Sequence, residues 1–135
     1  MQLIKVETHL NVRQEGNTVV AVVEVRNDKP FPIVVEKRRT GKDKDFFLNV
    51  FQISTGDGRV PFRGPVGKLP APQAADFITI AKGQSLSFKI DLGKYYEFPK
   101  GAKVYKFRYQ TSVIPLNGQD LFEFSSNEVL LSLQL

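Results

Sequence analysis

The side chains best suited to catalysis are scarce in this chain of 135 residues. It has one histidine, His9, and no cysteine. A serine-histidine-aspartate triad needs its histidine beside a nucleophile and an orienting carboxylate, and no nucleophile motif accompanies His9. One histidine without any cysteine also leaves no zinc site of the usual ligand types. We therefore predict no catalytic and no metal-binding residue, and we interpret His9 as an exposed strand residue.

The carboxylate side chains also show no clear metal-binding or catalytic motif. Asp43 and Asp45 are spaced like calcium ligands in a loop, but Lys42 and Lys44 beside them oppose a cation, so we interpret all four as solvated loop charges. A carboxylate pair for glycoside hydrolysis is a spatial arrangement that one sequence does not reveal. A small hydrolase therefore stays open as a third hypothesis.

Phosphate and nucleotide cofactors are not expected. The glycine-bearing turns at 56–58 and 64–67 are not followed by a helix whose N-terminus would hold a phosphate. Aromatic and basic residues do alternate at 105–109, which would suit stacking on nucleic acid. Because Tyr105, Phe107 and Tyr109 share one face of a predicted strand, we favour a core role for them and predict neither cofactor nor nucleic acid.

Two groups of residues are candidates for binding a protein partner. The formal net charge is +5, and the densest basic stretch is the loop 36–45, which would steer an acidic partner. Aromatic residues expected in loops at one end of the fold form the second group. Together the candidates are Lys37, Arg38, Arg39, Lys42, Phe62, Tyr96 and Phe98.

The elements that must position these residues are strands. Apolar residues recur at every second position along most of the chain, with turn residues about every ten residues, a pattern typical of a sandwich or barrel. The predicted strands are 2–10, 18–26, 31–35, 46–53, 59–62, 77–81, 86–92, 105–109 and 129–135. We predict a single all-β domain over 1–135, an immunoglobulin-like antiparallel β-sandwich of eight or nine strands.

The sequence constrains the cellular compartment of the protein less than it constrains the fold. The sequence opens directly into a strand pattern, without an apolar leader, and has no apolar segment long enough to span a bilayer. The absence of cysteine suits the cytoplasm and many exported domains alike. Export followed by removal of a leader is the interpretation we favour, and the oligomeric state stays open.

Several short segments, in order, resemble one known module. They are Phe51 and Ile53, then 57–64, Lys68, 71–80, 82–87, Asp91 and Leu92, and Tyr95 and Tyr96, with Ser126–Val129 closing the set. Together they are similar to the N-terminal β-domain of bacterial deuterolysin-like, peptidyl-Lys type zinc metallopeptidases, over about residues 47 to 109. The resemblance implies a β-sandwich that packs on a partner protein or serves as a pro-region.

The departures from that family limit what carries over. The family's catalytic His-Glu-x-x-His segment is absent, so no catalytic residue is transferred and the chain is predicted not to be an enzyme. The stretch 36–45 is more charged than is usual there, and 100–103 replaces a shorter glycine turn. Our first hypothesis is a non-catalytic domain that binds a protein partner in an accessory, pro-region or inhibitor-like role related to a peptidase. The alternative is recognition of a carbohydrate or surface by the end loops.

Overall fold

The computed structural model describes residues 2–43, 45–64 and 69–135. Its strands are β1 (Gln2–Glu15), β2 (Thr18–Arg26), β3 (Ile33–Glu36), β4 (Phe51–Thr55), β5 (Gly58–Arg59), β6 (Phe77–Ile80), β7 (Ser85–Asp91), β8 (Ala102–Val113), β9 (Asp120–Ser125) and β10 (Val129–Gln134). Helix in these ranges is limited to short 3-10 segments at Lys37–Arg39, Ala74–Asp76 and Leu92–Lys94. No helix in the described ranges has the length and apolar character needed to cross a membrane.

The strands form the predicted all-β sandwich. One layer has the order β7-β2-β1-β9, and the other comprises β10, β8, β4 and β5. A small separate sheet pairs β3 with β6. The described ladders are antiparallel except that β1 runs parallel to β9, from Gln2 opposite Asp120 to Glu7 opposite Ser125. The sheet is therefore mixed rather than wholly antiparallel.

The long strand β8 belongs to both layers. Its first half pairs with β10, from Ala102 opposite Gln134 to Phe107 opposite Val129. On its other side, Tyr109 lies opposite Phe51 of β4. Its last residues, from 110 to 113, pair with β9. Because the continuous backbone of β8 hydrogen-bonds to strands of both layers, it connects the two layers.

The alternating apolar rows face a shared interior. Phe88 and Ile90 of β7 are buried, as are Tyr105, Phe107 and Tyr109 of β8. The rings of Phe88 and Tyr109 lie 5.7 Å apart, centroid to centroid, across the two layers. In the C-terminal row Leu133 is buried, whereas Val129, Leu131 and Leu135 are half-buried against the same core. The predicted inward faces are confirmed.

A tight hairpin after β1 sets the register of the first two strands. Glu15 lies opposite Thr18, which leaves a two-residue loop of Gly16 and Asn17. Gly16 has a φ of 62°, a backbone angle that side-chain-bearing residues avoid and that a two-residue hairpin turn requires. The pairing continues to Glu7 opposite Arg26.

The prediction of a strand over 46–53 is wrong in its first half, because β4 begins only at Phe51. Phe47 and Val50 are nevertheless buried. The ring of Phe47 stacks on Tyr95 with centroids 4.3 Å apart, and the carbonyl of Val50 accepts a hydrogen bond from Gln110. An irregular segment that packs into the core shows the same apolar residues as a buried strand, so periodicity does not separate the two.

Other strand boundaries differ because polar residues interrupt the pattern. β1 continues past Leu10 to Glu15, and β8 continues past Tyr109 to Val113. The sequence prediction also overlooked β9, so the described part has ten strands rather than eight or nine. Within the predicted loops, Lys44 and the stretch 65–68 lie outside the described residues.

The inward assignment of β7 predicts contrasting effects of two neighbouring substitutions. Phe88→Ala should lower the free energy of unfolding by about 3–5 kcal/mol, because it removes a large buried ring. Lys89→Ala, on the exposed side of the same strand, should change it by no more than about 0.5 kcal/mol. Urea denaturation of both variants measures this, and effects of equal size would contradict the assignment of faces.

Candidate functional site

A groove opens at one end of the sandwich, between the β4–β5 hairpin and the segment that precedes β8. We call it the end groove, and its volume is about 530 Å³. Its lining comes from two stretches of chain, 55–61 and 97–103: Thr55, Asp57, Gly58, Arg59, Val60, Pro61, Glu97, Phe98, Pro99, Lys100 and Lys103.

Backbone pairing at the back of the end groove holds its two walls together. The N–H of Arg63 donates to the carbonyl of Tyr95 at 2.8 Å, and the N–H of Glu97 donates to that of Pro61 at 2.9 Å. Phe62 and Tyr96 pair between these two bonds. The groove therefore lies between segments whose spacing is set by a short antiparallel ladder.

The floor of the end groove is aromatic and apolar. Phe98 is half-buried, and its ring meets that of Tyr105 edge to face, with centroids 5.5 Å apart. A tilted contact with Phe107, whose ring centroid lies 6.4 Å away, also holds the ring. Pro61 and Pro99 add rigid apolar surface at the walls. The rest of Phe98 is free to contact a ligand in the groove.

Of the three predicted aromatic candidates, only Phe98 lines the end groove. Tyr96 is 1% exposed, and its hydroxyl accepts the Phe51 N–H at 3.0 Å and donates to Asn49 Oδ1 at 2.8 Å. Burial raises its pKa well above the usual range of a tyrosine. Phe62 packs its ring against that of Tyr96 at 5.3 Å. Tyr96 thus belongs to the structural support of the groove rather than to its surface.

The rim of the end groove carries charge of both signs. Lys103 Nζ lies 2.9 Å from Asp57 Oδ2, and this contact lowers the pKa of Asp57 and raises that of Lys103. Glu97, Arg59 and Lys100 are exposed around the opening. With the Asp57–Lys103 pair neutral, two cations and one carboxylate remain, which favours ligands that carry negative charge.

The predicted basic candidates lie elsewhere, and two of them are engaged within the protein. Arg38 is 7% exposed, ion-pairs with the buried Glu36 and donates to the carbonyl of Pro70 at 2.9 Å. Arg39 also contacts Glu36, at 3.4 Å, and donates to Thr111 Oγ1 at 2.6 Å. This stretch is therefore not simply a solvated loop, because Glu36 draws both guanidinium groups inward.

The remaining basic candidates are more accessible. Lys37 is half-buried and Lys42 is exposed. Neither they nor the two arginines line the end groove. The predicted basic candidates and Phe98 therefore do not form one site in the end groove.

His9, Asp43 and Asp45 do not line the end groove. His9 is exposed on β1. Asp43 Oδ1 accepts the N–H groups of Asp45 and Phe46, at 2.8 and 3.1 Å, and so closes a turn. Among the described residues, no three histidine, cysteine, aspartate or glutamate side chains are placed to hold a metal ion.

The residues that sequence reasoning missed are Arg59, Lys100 and the prolines of the groove walls. The sequence places Arg59 at the start of the predicted strand 59–62, and Lys100 in the stretch 100–103 that departs from the family it resembles. Neither residue shows a local pattern that marks it as a binding residue. The Pro-Phe and Phe-Pro pairs at 61–62 and 98–99 were the available signal, since proline and aromatic residues together form rigid apolar walls.

Tyr96 and Tyr105 form a matched pair for testing the support of the groove. Both are buried, but within the described residues the enclosed hydroxyl of Tyr105 has no hydrogen-bond partner. Tyr96→Phe should lower the free energy of unfolding by about 1–3 kcal/mol, since it leaves the buried Phe51 N–H without an acceptor. Tyr105→Phe should not lower it, and should raise it by up to about 1–3 kcal/mol, because it removes a buried hydroxyl that has no partner. Chemical denaturation measures both, and equal losses would contradict the hydrogen-bond assignment.

The ion pairs Glu36–Arg38 and Arg13–Glu15 allow a second matched comparison, because both join residues two apart, one pair buried and the other exposed. Glu36→Gln should cost about 3–5 kcal/mol of stability, since it leaves the buried Arg38 guanidinium without a counter-charge. Glu15→Gln should leave stability nearly unchanged, because water solvates both partners. Thermal denaturation at matched pH compares them, and a mild effect at Glu36 would refute a structural role for this carboxylate.

Comparison with known proteins adds no relative. No protein-family model matches the chain, and no curated protein is significantly similar to it. The resemblance to the peptidase-associated β-domain therefore stays a prediction from the sequence.

Proposed function

We propose that this chain is a non-catalytic interaction domain that binds an extended segment of a protein partner in the end groove. The observation that carries the proposal is the combination of an aromatic floor with a partly basic rim at one end of a rigid sandwich. A volume of about 530 Å³ lies within the usual range of ligand sites. It suits a few side chains of a bound segment rather than a whole protein surface.

The chemistry of the lining defines the partner segment. Phe98, Pro61 and Pro99 would bury an apolar side chain, each such burial contributing roughly 1.5–3 kcal/mol before the costs of association. Arg59 and Lys100 would pair with a carboxylate beside it. The segment that fits best is therefore extended, apolar at its centre and acidic at its flank.

An accessory, pro-region or inhibitor-like role related to a peptidase is the biological setting that we propose for this binding. Its support is the order of short segments that resemble the β-domain preceding deuterolysin-like metallopeptidases. Those segments include 57–64 and the tyrosines at 95 and 96, which build one wall of the end groove and its back. The part of the chain with the clearest resemblance thus contributes directly to the groove.

Recognition of a carbohydrate is the alternative for the same groove. Phe98 supplies a ring face of the type on which sugars stack, and Asp57, Glu97 and Arg59 supply hydrogen-bonding groups around it. The basic rim favours an acidic glycan over a neutral one. The two candidate functions use the same groove and differ only in the ligand, a peptide segment in one and a carbohydrate in the other.

Peptide selection tests the proposed function directly. A phage-displayed library of random linear peptides is selected on the immobilised protein, and enriched peptides are titrated in solution. We expect enriched sequences that combine apolar and acidic residues. When these peptides are titrated, the chemical-shift changes of the protein's backbone amides should cluster at 57–61 and 97–103. Selection of no peptide above background, or shift changes centred elsewhere, would refute the groove as the site.

Charge reversal at two exposed lysines tests whether the partner binds in the end groove or at the basic stretch 36–45. Lys100→Glu should weaken binding of a selected acidic peptide by about tenfold, close to 1.4 kcal/mol. Lys42→Glu is the matched control and should change the affinity by less than about twofold. The reverse order of effects would place the site at the loop. Binding of acidic glycans, but of no peptide, on an array would favour the alternative function.

A further inference from the structure

A second cluster of charge lies on the outer face of the layer that contains β4, β5, β8 and β10. Strand register brings its members together, because Ser54 lies opposite both Arg59 and Lys106, and Gln52 lies opposite Arg108. They line a small cleft of about 110 Å³ together with Glu128. We call this the basic cleft.

The cations of the basic cleft are incompletely neutralised. It contains Arg59, Lys106 and Arg108 but one carboxylate, that of Glu128. Lys106 Nζ lies 3.9 Å from Glu128 Oε1, and an Arg108 terminal nitrogen lies 3.7 Å from Oε2. Both separations exceed normal hydrogen-bond lengths. The cleft therefore holds a positive surplus whose hydrogen-bonding capacity is largely unused.

Arg108 carries a donor that has no hydrogen-bond partner within the described residues. This donor is its Nε, which is enclosed by protein. The enclosed Nε cannot reach a ligand from this position, but the side chain as a whole is 41% exposed. Its terminal nitrogens are thus available as donors, and a guanidinium presents them in the planar geometry that oxyanions accept.

From this arrangement we propose that the basic cleft binds one oxyanion group, the carboxylate or phosphate group of a ligand. Arg108, Lys106 and Arg59 supply the charge, and the Ser54 hydroxyl and the Gln52 amide supply neutral donors beside it. A volume of about 110 Å³ accommodates a group of a few heavy atoms with little water.

This inference does not rest on the proposed function. The basic cleft and the end groove share Arg59 but no other lining residue. Changes at Lys106 and Arg108 therefore test the cleft without altering the groove, and Lys100 tests the groove without altering the cleft.

Anion titration of the folded protein tests the basic cleft. Backbone-amide spectra are recorded at about pH 7 with sodium phosphate and, separately, sodium acetate, the ionic strength being held constant with sodium chloride. We expect saturable shifts at 52–54 and 106–108 with millimolar dissociation constants. Saturation by phosphate alone identifies a phosphate ligand, by acetate alone a carboxylate, and by both the shared oxyanion chemistry.

Paired variants give the test its specificity. Lys106→Gln combined with Arg108→Gln should weaken the anion response by about tenfold or more. Lys89→Gln, an exposed lysine on the other layer, should leave it unchanged. If the double variant is misfolded, Lys106→Gln alone serves as the test, because Lys106 is 54% exposed and its substitution should not disturb the core. Loss of this one cation should weaken anion binding by about threefold. Shifts that do not saturate, or that persist unchanged in the Lys106 and Arg108 variants, would overturn the proposal.

Discussion

The two layers of the sandwich depend on one strand whose inward face is aromatic. Tyr105, Phe107 and Tyr109 of β8 are fully buried, and the same strand hydrogen-bonds to β10, β4 and β9. Each such ring removes roughly 150–250 Å² of surface from water. Because the backbone bonds and the buried rings belong to the same residues, pairing and packing reinforce each other. The floor of the end groove rests on this row through Phe98.

Side-chain amides replace backbone pairing where the layers separate. Between β9 and β10 the chain leaves the parallel pairing with β1, and Asn127 there accepts the Leu10 N–H at 2.8 Å and donates to the Leu10 carbonyl at 3.1 Å. Gln14 makes the same two-way contact with the backbone of Gln134. The Asn127 bonds matter because a partly buried peptide group without a partner is costly, whereas the Gln14 bonds lie at the exposed surface. They fix β1 against the C-terminal strands without closing the sheet into a barrel.

The end groove and the basic cleft are adjacent, and Arg59 lines both. This residue lies on β5, the two-residue edge strand of its layer. An extended ligand that followed this edge would meet apolar surface at the end groove and positive charge at the basic cleft. Both surfaces carry more cations than carboxylates, so both favour acidic ligands, and the net charge of +5 is consistent with this.

The sequence by itself determined the all-β class, most strand positions and the inward faces, because alternation along a strand is a local property that burial selects directly. The alternation at 105–109 also placed Lys106 and Arg108 on the face opposite the aromatic row. Only the tertiary structure decided which distant residues meet. The register that gathers Arg59 with Lys106, and the ladder that places Glu97 opposite Pro61, depend on pairings between segments that are far apart in the sequence. The inward turn of Arg38 toward Glu36 was equally hidden, since a charged side chain is buried only where a partner is already held.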